Sequence, residues 1–308
     1  MASAVQWTIS GVTSVASVRD RVVVARIVGG LGNQMFQYAC AKAVASRSGA
    51  KLYLDVSAFS RYKQHRYGLG DFQVSVPFAP YRVQTGGLAF SAMRRVGLDA
   101  RHLLSAQGFH YLAENPDLSF HESLLTEQRS VYLDGYWQSE RYFREFSNDI
   151  RNDFFPSDAH CFSKGQCDDD LPRVSLHVRR GDYLSNSHAY SVHGVLDLDY
   201  YRAAVSILSE RIGSKFRVVA FSDDIEWVKD NLTLTQPMDF VSGSKEVPHA
   251  DLQMMASCDH HIIANSSFSW GGGWLNPSKE KQVIAPKRWF ASSQYVYDQI
   301  CPAEWIRI

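Results

Sequence analysis

Apolar residues in this 308-residue chain fall into short runs punctuated by glycine, and the runs alternate between two periods. The stretch 21–28 is β-branched around Val22, Val23 and Val24 and predicts a buried strand. Gly29-Gly30-Leu31-Gly32-Asn33-Gln34 follows it. A helical period then runs from about 34 to 48, with Phe36, Cys40, Ala43 and Val44 on one face, and Gly49 closes it. A second strand is predicted over 51–56. Strand, glycine loop, helix and strand in that order open a parallel α/β domain. The stretch 59–125 is aromatic and rich in Gly and Arg, with weak periodicity, and predicts no definite element. A strand over 132–137 and a helix over 139–148 complete this part.

The segment 156–172 changes character: Ser, Lys, Gly and the triplet Asp168-Asp169-Asp170 read as a solvated linker. It separates a unit at 21–155 from one at 173–308. In the second unit the pattern predicts strands at 173–178, 216–221, 238–241, 260–264 and 281–285. Helices are predicted at 197–212, 224–230 and 249–257, and an irregular tail ends the chain. Two α/β halves joined by a linker enclose a cleft. Residues 1–20, rich in Ala, Ser, Val and Thr, have neither a basic start nor a continuous apolar stretch. They read as a disordered extension rather than a signal peptide or a membrane span.

Composition narrows the function classes. Hydrophobic residues are 45% and charged ones 21%, a globular balance. Lys and Arg number 32 against 32 Asp and Glu, which argues against a nucleic-acid binder, so any basic site must be local. The five cysteines are odd in number and none is spaced Cys-x-x-Cys, which suggests a reducing cytoplasm rather than a disulfide framework.

The local basic site is Ser175-Leu176-His177-Val178-Arg179-Arg180-Gly181-Asp182-Tyr183. A strand here runs into a turn bearing two guanidiniums. Ligands of open α/β sheets bind beyond the carboxyl ends of strands, and a guanidinium fork suits phosphoryl oxygens. Side-chain alternation sends Arg180 to the opposite side from Arg179, toward a structural pair. Two other strand ends carry related chemistry. Asn265-Ser266-Ser267-Phe268 feeds hydroxyls and N–H groups into a helix start, a phosphate-binding arrangement. Ser222-Asp223-Asp224 follows the 216–221 strand; a carboxylate there could meet a guanine or a ribose, or either Ser222 or Asp223 could cap the next helix. The Gly29–Gln34 loop matches neither the dinucleotide fingerprint nor a phosphate loop ending in Gly-Lys-Ser/Thr. It still allows backbone N–H groups to approach an anion. Asp197-Leu198-Asp199 has the Asp-x-Asp spacing of metal-dependent sugar transferases, but it reads better as a helix cap. The adjacent His260 and His261 face opposite sides of a strand and suit packing rather than a shared metal.

Five segments together resemble glycosyltransferase family 11, the bacterial galactoside α-1,2-fucosyltransferases. They are Gly29 to Ala39, Gly135-Tyr136-Trp137-Gln138-Ser139-Glu140, His177 to Tyr183, Phe221 to Asp224 and Ala264 to Trp270. The resemblance spans roughly residues 25 to 290. It implies two Rossmann-like domains facing a cleft, the GT-B arrangement, with the acceptor on the first and GDP-L-fucose on the second. It also implies inverting transfer to a galactose 2-hydroxyl, with no metal and no other cofactor. Arg179 is then the first candidate for the charge on the departing phosphate, aided by His177. Asp182 is a candidate base, though it could equally orient Arg179 or cap the turn. Donor contacts are expected from Gly30, Gly32, Asn33, Gln34, Ser222, Asp223, Asn265, Ser266, Ser267 and Phe268. Alternatives are a fucosyltransferase of another linkage, a non-catalytic nucleotide-sugar-binding protein, or an oxidoreductase, against which the glycine spacing argues. The expected partners are the donor and a galactose-terminated glycan; a lipid-linked acceptor would bring a cytoplasmic enzyme to the membrane periphery. One departure stands out: Gly271 and Gly273 stand where the family commonly has Trp and Ala.

Overall fold

In the computed structural model, residues 20–61, 64–86, 99–156, 171–181, 184, 186–244 and 246–308 are described. The predicted extension up to residue 19, most of the linker and Asp182 lie outside them. The first half begins as the hydrophobic pattern predicts: β1 (Val22–Arg26), α1 (Leu31–Ser48) and β2 (Lys51–Asp55). Gly49 ends α1 in a left-handed cap, its φ of 61° being open to glycine at no steric cost. The patternless middle yields α2 (Ala100–Ala106) and β3 (His110–Ala113), and β4 (Val131–Asp134) follows. These strands form a four-stranded sheet in the order β2-β1-β4-β3, every pairing parallel.

The helix predicted over 139–148 is a correction. Two 3-10 turns, Glu140–Tyr142 and Arg144–Phe146, occupy that stretch, and the α-helix α3 begins only at Ser147 (Ser147–Asp153). The neighbours Tyr142 and Phe143 are both buried, and the Tyr142 hydroxyl accepts from the His121 N–H at 2.8 Å. The tighter winding of a 3-10 turn serves that core better than a regular helical face.

The second half contains β5 (Arg173–Val178), α4 (Ser187–His193), α5 (Leu198–Ile212), β6 (Arg217–Ser222), α6 (Ile225–Asn231) and β7 (Met238–Ser242). It continues with α7 (Pro248–Ala256), β8 (His260–Ile262), α8 (Ser267–Leu275), β9 (Val283–Ala285) and β10 (Ile306–Arg307). Helix α4 and strand β10 were not expected; β10 is two residues long and pairs with β9 through Ile306 and Ile284. The sheet order is β10-β9-β8-β5-β6-β7, again parallel throughout. Numbered from β5 this is the doubly wound order 3-2-1-4-5-6, which reverses between β5 and β8. Asp197 caps α5 by accepting from the Tyr200 N–H at 2.9 Å, and Asp199 pairs with Arg202.

The core ties the halves together. One face of the second sheet packs under α5 through Leu176, Val218, Ala204 and Leu208. On the opposite side a single apolar cluster runs from β1 and α1 to α8 and the C-terminal segment. Phe36 of α1 lies 4.3 Å from Trp270 of α8, ring to ring, while Trp270 stacks on Trp274 at 5.7 Å. The Trp274 indole N–H donates to the Glu140 carboxylate at 2.9 Å. Helix α8 fits between α1 and α7 because Gly271, Gly272 and Gly273 give it almost no side-chain width. A Cβ on Gly272 would lie 2.9 Å from the Met255 Cβ, whereas one on Gly273 would meet Val283 and Ile263 at ordinary contact distance, 3.5 and 3.6 Å.

These distances give opposite signs to two similar changes. Gly273→Ala should stabilise the protein by about 0.4–1 kcal/mol through the unfolded chain's reduced freedom. Gly272→Ala should be net destabilising, because Met255 approaches with a backbone-fixed carbon. Urea midpoints of the two variants test this directly.

Candidate active site

The site lies where the second sheet's order reverses. Strand β5 ends at Val178 and delivers Arg179 and Arg180; neighbouring β8 leads into Asn265–Ser267 and the start of α8. From β6, next to β5 on the other side, comes Asp223. Its carboxylate holds the Arg179 guanidinium at 3.0 Å and accepts from the Arg180 backbone N–H at 3.0 Å. Gly181 passes so close that a Cβ would lie 2.7 Å from the Asp223 carboxylate. The Arg180 side chain turns away, bonds Asp224 at 3.2 Å and lies over the Trp227 ring at 3.3 Å. The two adjacent arginines therefore divide: one at the cleft, one on the flank.

His177 is the last inward-facing residue of β5 before this turn. It is buried, its ring centre lies 5.9 Å from that of Phe268, and its Nδ1 has no hydrogen-bond partner among the described residues. Burial, reinforced by the Arg179 charge, pushes its pKa down to about 4. At neutral pH it is an uncharged imidazole beneath a fixed guanidinium.

The first half contributes through the tip of α1. A Cβ on Gly32 would fall 2.3 Å from the Ser267 carbonyl carbon, so only glycine lets α1 and α8 meet here. Asn33 bridges the seam: its side-chain oxygen accepts from Ser267 Oγ at 2.7 Å and from Gln138 Nε2 at 2.8 Å. The N-termini of both helices thus open on one place. Their unpaired N–H groups and dipoles favour an anion there.

Several expected donor contacts have other partners. Gly32 touches Ser267, leaving no room for a ligand at its α-carbon. Gln34 is 1% exposed and braces loops: its amide donates to the Gly29 and Arg66 carbonyls, and its oxygen accepts from the Gly68 N–H. Asn265 donates to the His193 and Trp289 carbonyls. Ser222 accepts from the Asp224 N–H at 2.9 Å, and Ser266 caps α8 through the Phe268 N–H at 3.3 Å. Asp223, considered for a guanine or a ribose, holds Arg179. Gly30, beside the His65 ring, Phe268 and Ser267 line the remaining approach. His261 is buried between Ser175 and Asn276, at 2.8 and 2.9 Å, and His260 accepts from the Gln282 N–H.

Sequence reasoning missed two features. Asp55 is fully buried and accepts from the Tyr132 hydroxyl at 2.6 Å and the Thr85 N–H at 2.7 Å, knotting β2, β4 and a loop together. Across the halves, Asp71 receives Arg66 at 2.6 Å and His249 at 3.1 Å, while Arg66 also donates to the Glu246 carbonyl. A carboxylate at a strand end was the available signal for the first; nothing in the local pattern signals the second.

Residues 22–308 match the model of Glycosyl transferase family 11. The chain belongs to glycosyltransferase family 11. An α-1,2-colitosyltransferase of Escherichia coli is 33% identical over 294 residues, covering 93% of this chain and 99% of that protein. The O-antigen biosynthesis glycosyltransferase WbnK of Escherichia coli is 31% identical, covering 86% and 94%. The galactoside 2-α-L-fucosyltransferase Sec1 of Mus musculus is 23% identical, covering 83% and 65%. Among solved structures, a mutant of Arabidopsis thaliana FUT1 in complex with GDP superposes with a TM-score of 0.51 at 12% identity, over 91% of this chain and 73% of that one. The family 11 enzyme thus has the GT-B-type fold, and no helix among its described residues is long and apolar enough to cross a membrane.

The buried imidazole has a measurable consequence. With the folded pKa of His177 near 4 and the unfolded one near its usual 6.5, the unfolded chain binds the extra proton between those values. Stability therefore falls as pH drops from about 6.5 toward 4. Urea unfolding across that range should show a shallower fall for His177→Gln, by up to about one proton.

Proposed function

We propose that this glycosyltransferase moves L-fucose from GDP-L-fucose to the 2-hydroxyl of a galactoside, with inversion at the anomeric carbon and without a metal. The observation carrying this reading is Arg179 at the sheet's reversal point, held by Asp223 beside a buried His177 whose Nδ1 has no partner among the described residues. In the reaction the bond from the sugar C1 to the β-phosphate oxygen breaks, and GDP leaves with the electron pair. The acceptor 2-hydroxyl oxygen forms the new bond to C1 from the opposite face. As negative charge builds on the β-phosphate, Arg179 meets it with fixed positive charge. Ser267 and the tip of α1 complete the anion's surroundings, and Asp223 helps fix the guanidinium. An uncharged His177 adds a hydrogen bond without competing for the carboxylate. The 2-hydroxyl proton passes to a base on the acceptor's side of the ring, for which Asp182 is the in-motif candidate.

The α-1,2 linkage is supported by the names of the colitosyl- and fucosyltransferase relatives, and a glycan acceptor by that of the O-antigen enzyme. The identity with the colitosyltransferase favours a second reading, a colitosyl donor with the same linkage. An acceptor screen with GDP-L-fucose and GDP-colitose in parallel, with linkage analysis of the product, separates the two. Undiminished transfer in EDTA is expected; loss of activity would return Asp197 and Asp199 to consideration as metal ligands. Arg179→Ala should lower kcat by about 10²–10³-fold while leaving the fold intact, as for other single oxyanion donors. Wild-type turnover by a folded Arg179→Ala protein would remove this residue from the mechanism.

A further inference from the structure

A loop that covers the edge of the first sheet turns aromatic rings outward. Strand β2 lies at that edge, and the segment Pro77–Ala79 closes its outer side. The Leu54 N–H donates to the Pro77 carbonyl at 3.1 Å, and the Ala79 N–H donates to the Leu54 carbonyl at 2.8 Å. Extended backbone alternates its side chains, so the burial of Ala79 sends Phe78 and Pro80 to the solvent side. Pro80 then leads into the 3-10 turn Tyr81–Val83, in which Val83 is buried while Tyr81 and Arg82 are exposed. Ala79 and Val83 join Val24, Tyr132 and Leu104 in one apolar cluster. Those contacts account for the loop's hold on the sheet. They do not account for Phe78 and Tyr81, which stay 54% and 59% exposed.

The exposed rings are held in place. Pro77 and Pro80 restrict the backbone on either side of Phe78. The Phe78 ring meets Tyr67 edge-on at 5.5 Å, and Tyr67 in turn meets Phe59 at 6.2 Å. Single exposed apolar residues are ordinary; two rings on one restricted loop, set among cations, form a surface. The charge around them has one sign. In a chain with 32 basic and 32 acidic residues, the sequence from 57 to 107 carries seven Lys and Arg against two acids. Of those acids, Asp71 is paired with Arg66 and Asp99 caps α2. Arg82 directly follows Tyr81, and Arg61 stands exposed just beyond the turn that bears Phe59. Gln107 Nε2 donates to the Arg82 carbonyl at 3.1 Å, which brings α2 alongside with its exposed Arg101 and His102. Exposed rings flanked by guanidiniums suit a bilayer with anionic headgroups: the rings enter the interface while the cations meet phosphate.

We propose that the Phe78–Arg82 loop docks this enzyme on an anionic membrane surface, with Phe78 and Tyr81 entering the interface and Arg82 meeting lipid phosphate. The contact belongs to the protein itself and requires neither an acceptor nor turnover, so it stands or falls apart from the transfer reading. Flotation of the full chain tests it, with vesicles of phosphatidylcholine alone and of phosphatidylcholine mixed with phosphatidylglycerol. The wild type should float with the mixed vesicles, stay behind with the neutral ones and be released by high salt, which screens the attraction. The double variant Phe78→Ser, Tyr81→Ser should partition at least about tenfold more weakly. Arg82→Glu should remove the preference for phosphatidylglycerol. Both variants should keep the wild-type urea midpoint, because the three side chains lie outside the core. A wild-type protein that ignores both kinds of vesicle overturns the proposal. So does equal binding to the two, or a folded double variant that floats as the wild type does.

Discussion

Gly32 and the Ser267 backbone meet with no room for a side chain between them, and the arrangement of the site depends on that contact. Two helices with their positive ends in one place repel each other unless something negative or strongly accepting lies between them. In the protein that role falls to the Asn33 carbonyl oxygen, which takes one hydrogen bond from each side of the seam. The residual positive field faces the cleft, where Arg179 adds to it. A side chain of any size at residue 32 would push α1 away from α8 and dilute that field. The glycine thus acts as a spacer of zero width between helices, and its value is electrostatic as much as steric.

Much of this was legible in the chain. The strand–glycine–helix opening of the first half and the strand that opens the second came from period and punctuation, and the division between Arg179 and Arg180 from strand alternation. Three kinds of feature were not legible. Strands β3 and β10 have four and two residues, too few for alternation to register against their surroundings. The 139–148 stretch has helical propensity, but the demand to bury both Tyr142 and Phe143 overrides it. Gln34 and Asn265 show a third limit. An amide beside a glycine loop or at a strand end looks like a ligand contact, yet each is taken up by backbone carbonyls of segments distant in sequence. Sequence shows that such a group needs partners; only the fold decides whether the partners are protein.

Glycine in α8 joins helix packing to the site. A Cβ on Gly271 would already crowd Leu252 and Met35, at 3.3 and 3.4 Å, and α8 is held instead by the rings on either side of the glycines. At its far end, the Lys281 ammonium donates to the Gly273 carbonyl at 2.8 Å and also to that of Asn276, while Arg151 donates to the carbonyl of Trp274. Cations at the C-terminus complement the exposed carbonyls there. The helix that presents its N-terminus to an anion is therefore anchored at the other end by two positive side chains.

The aromatic cluster that runs from Phe36 through Trp270 and Trp274 to Phe143 sets a limit on breathing. Prying α1 from α8 would expose four large rings at roughly 1.5–3 kcal/mol each. That sum rivals the whole stability of an ordinary domain, about 5–15 kcal/mol. A wide clamshell opening is thus populated at about one part in 10⁴ or less. A ligand that reaches the cleft without that opening passes only the rim, where loops such as those bearing His65 and Tyr136 stand beside the tip of α1.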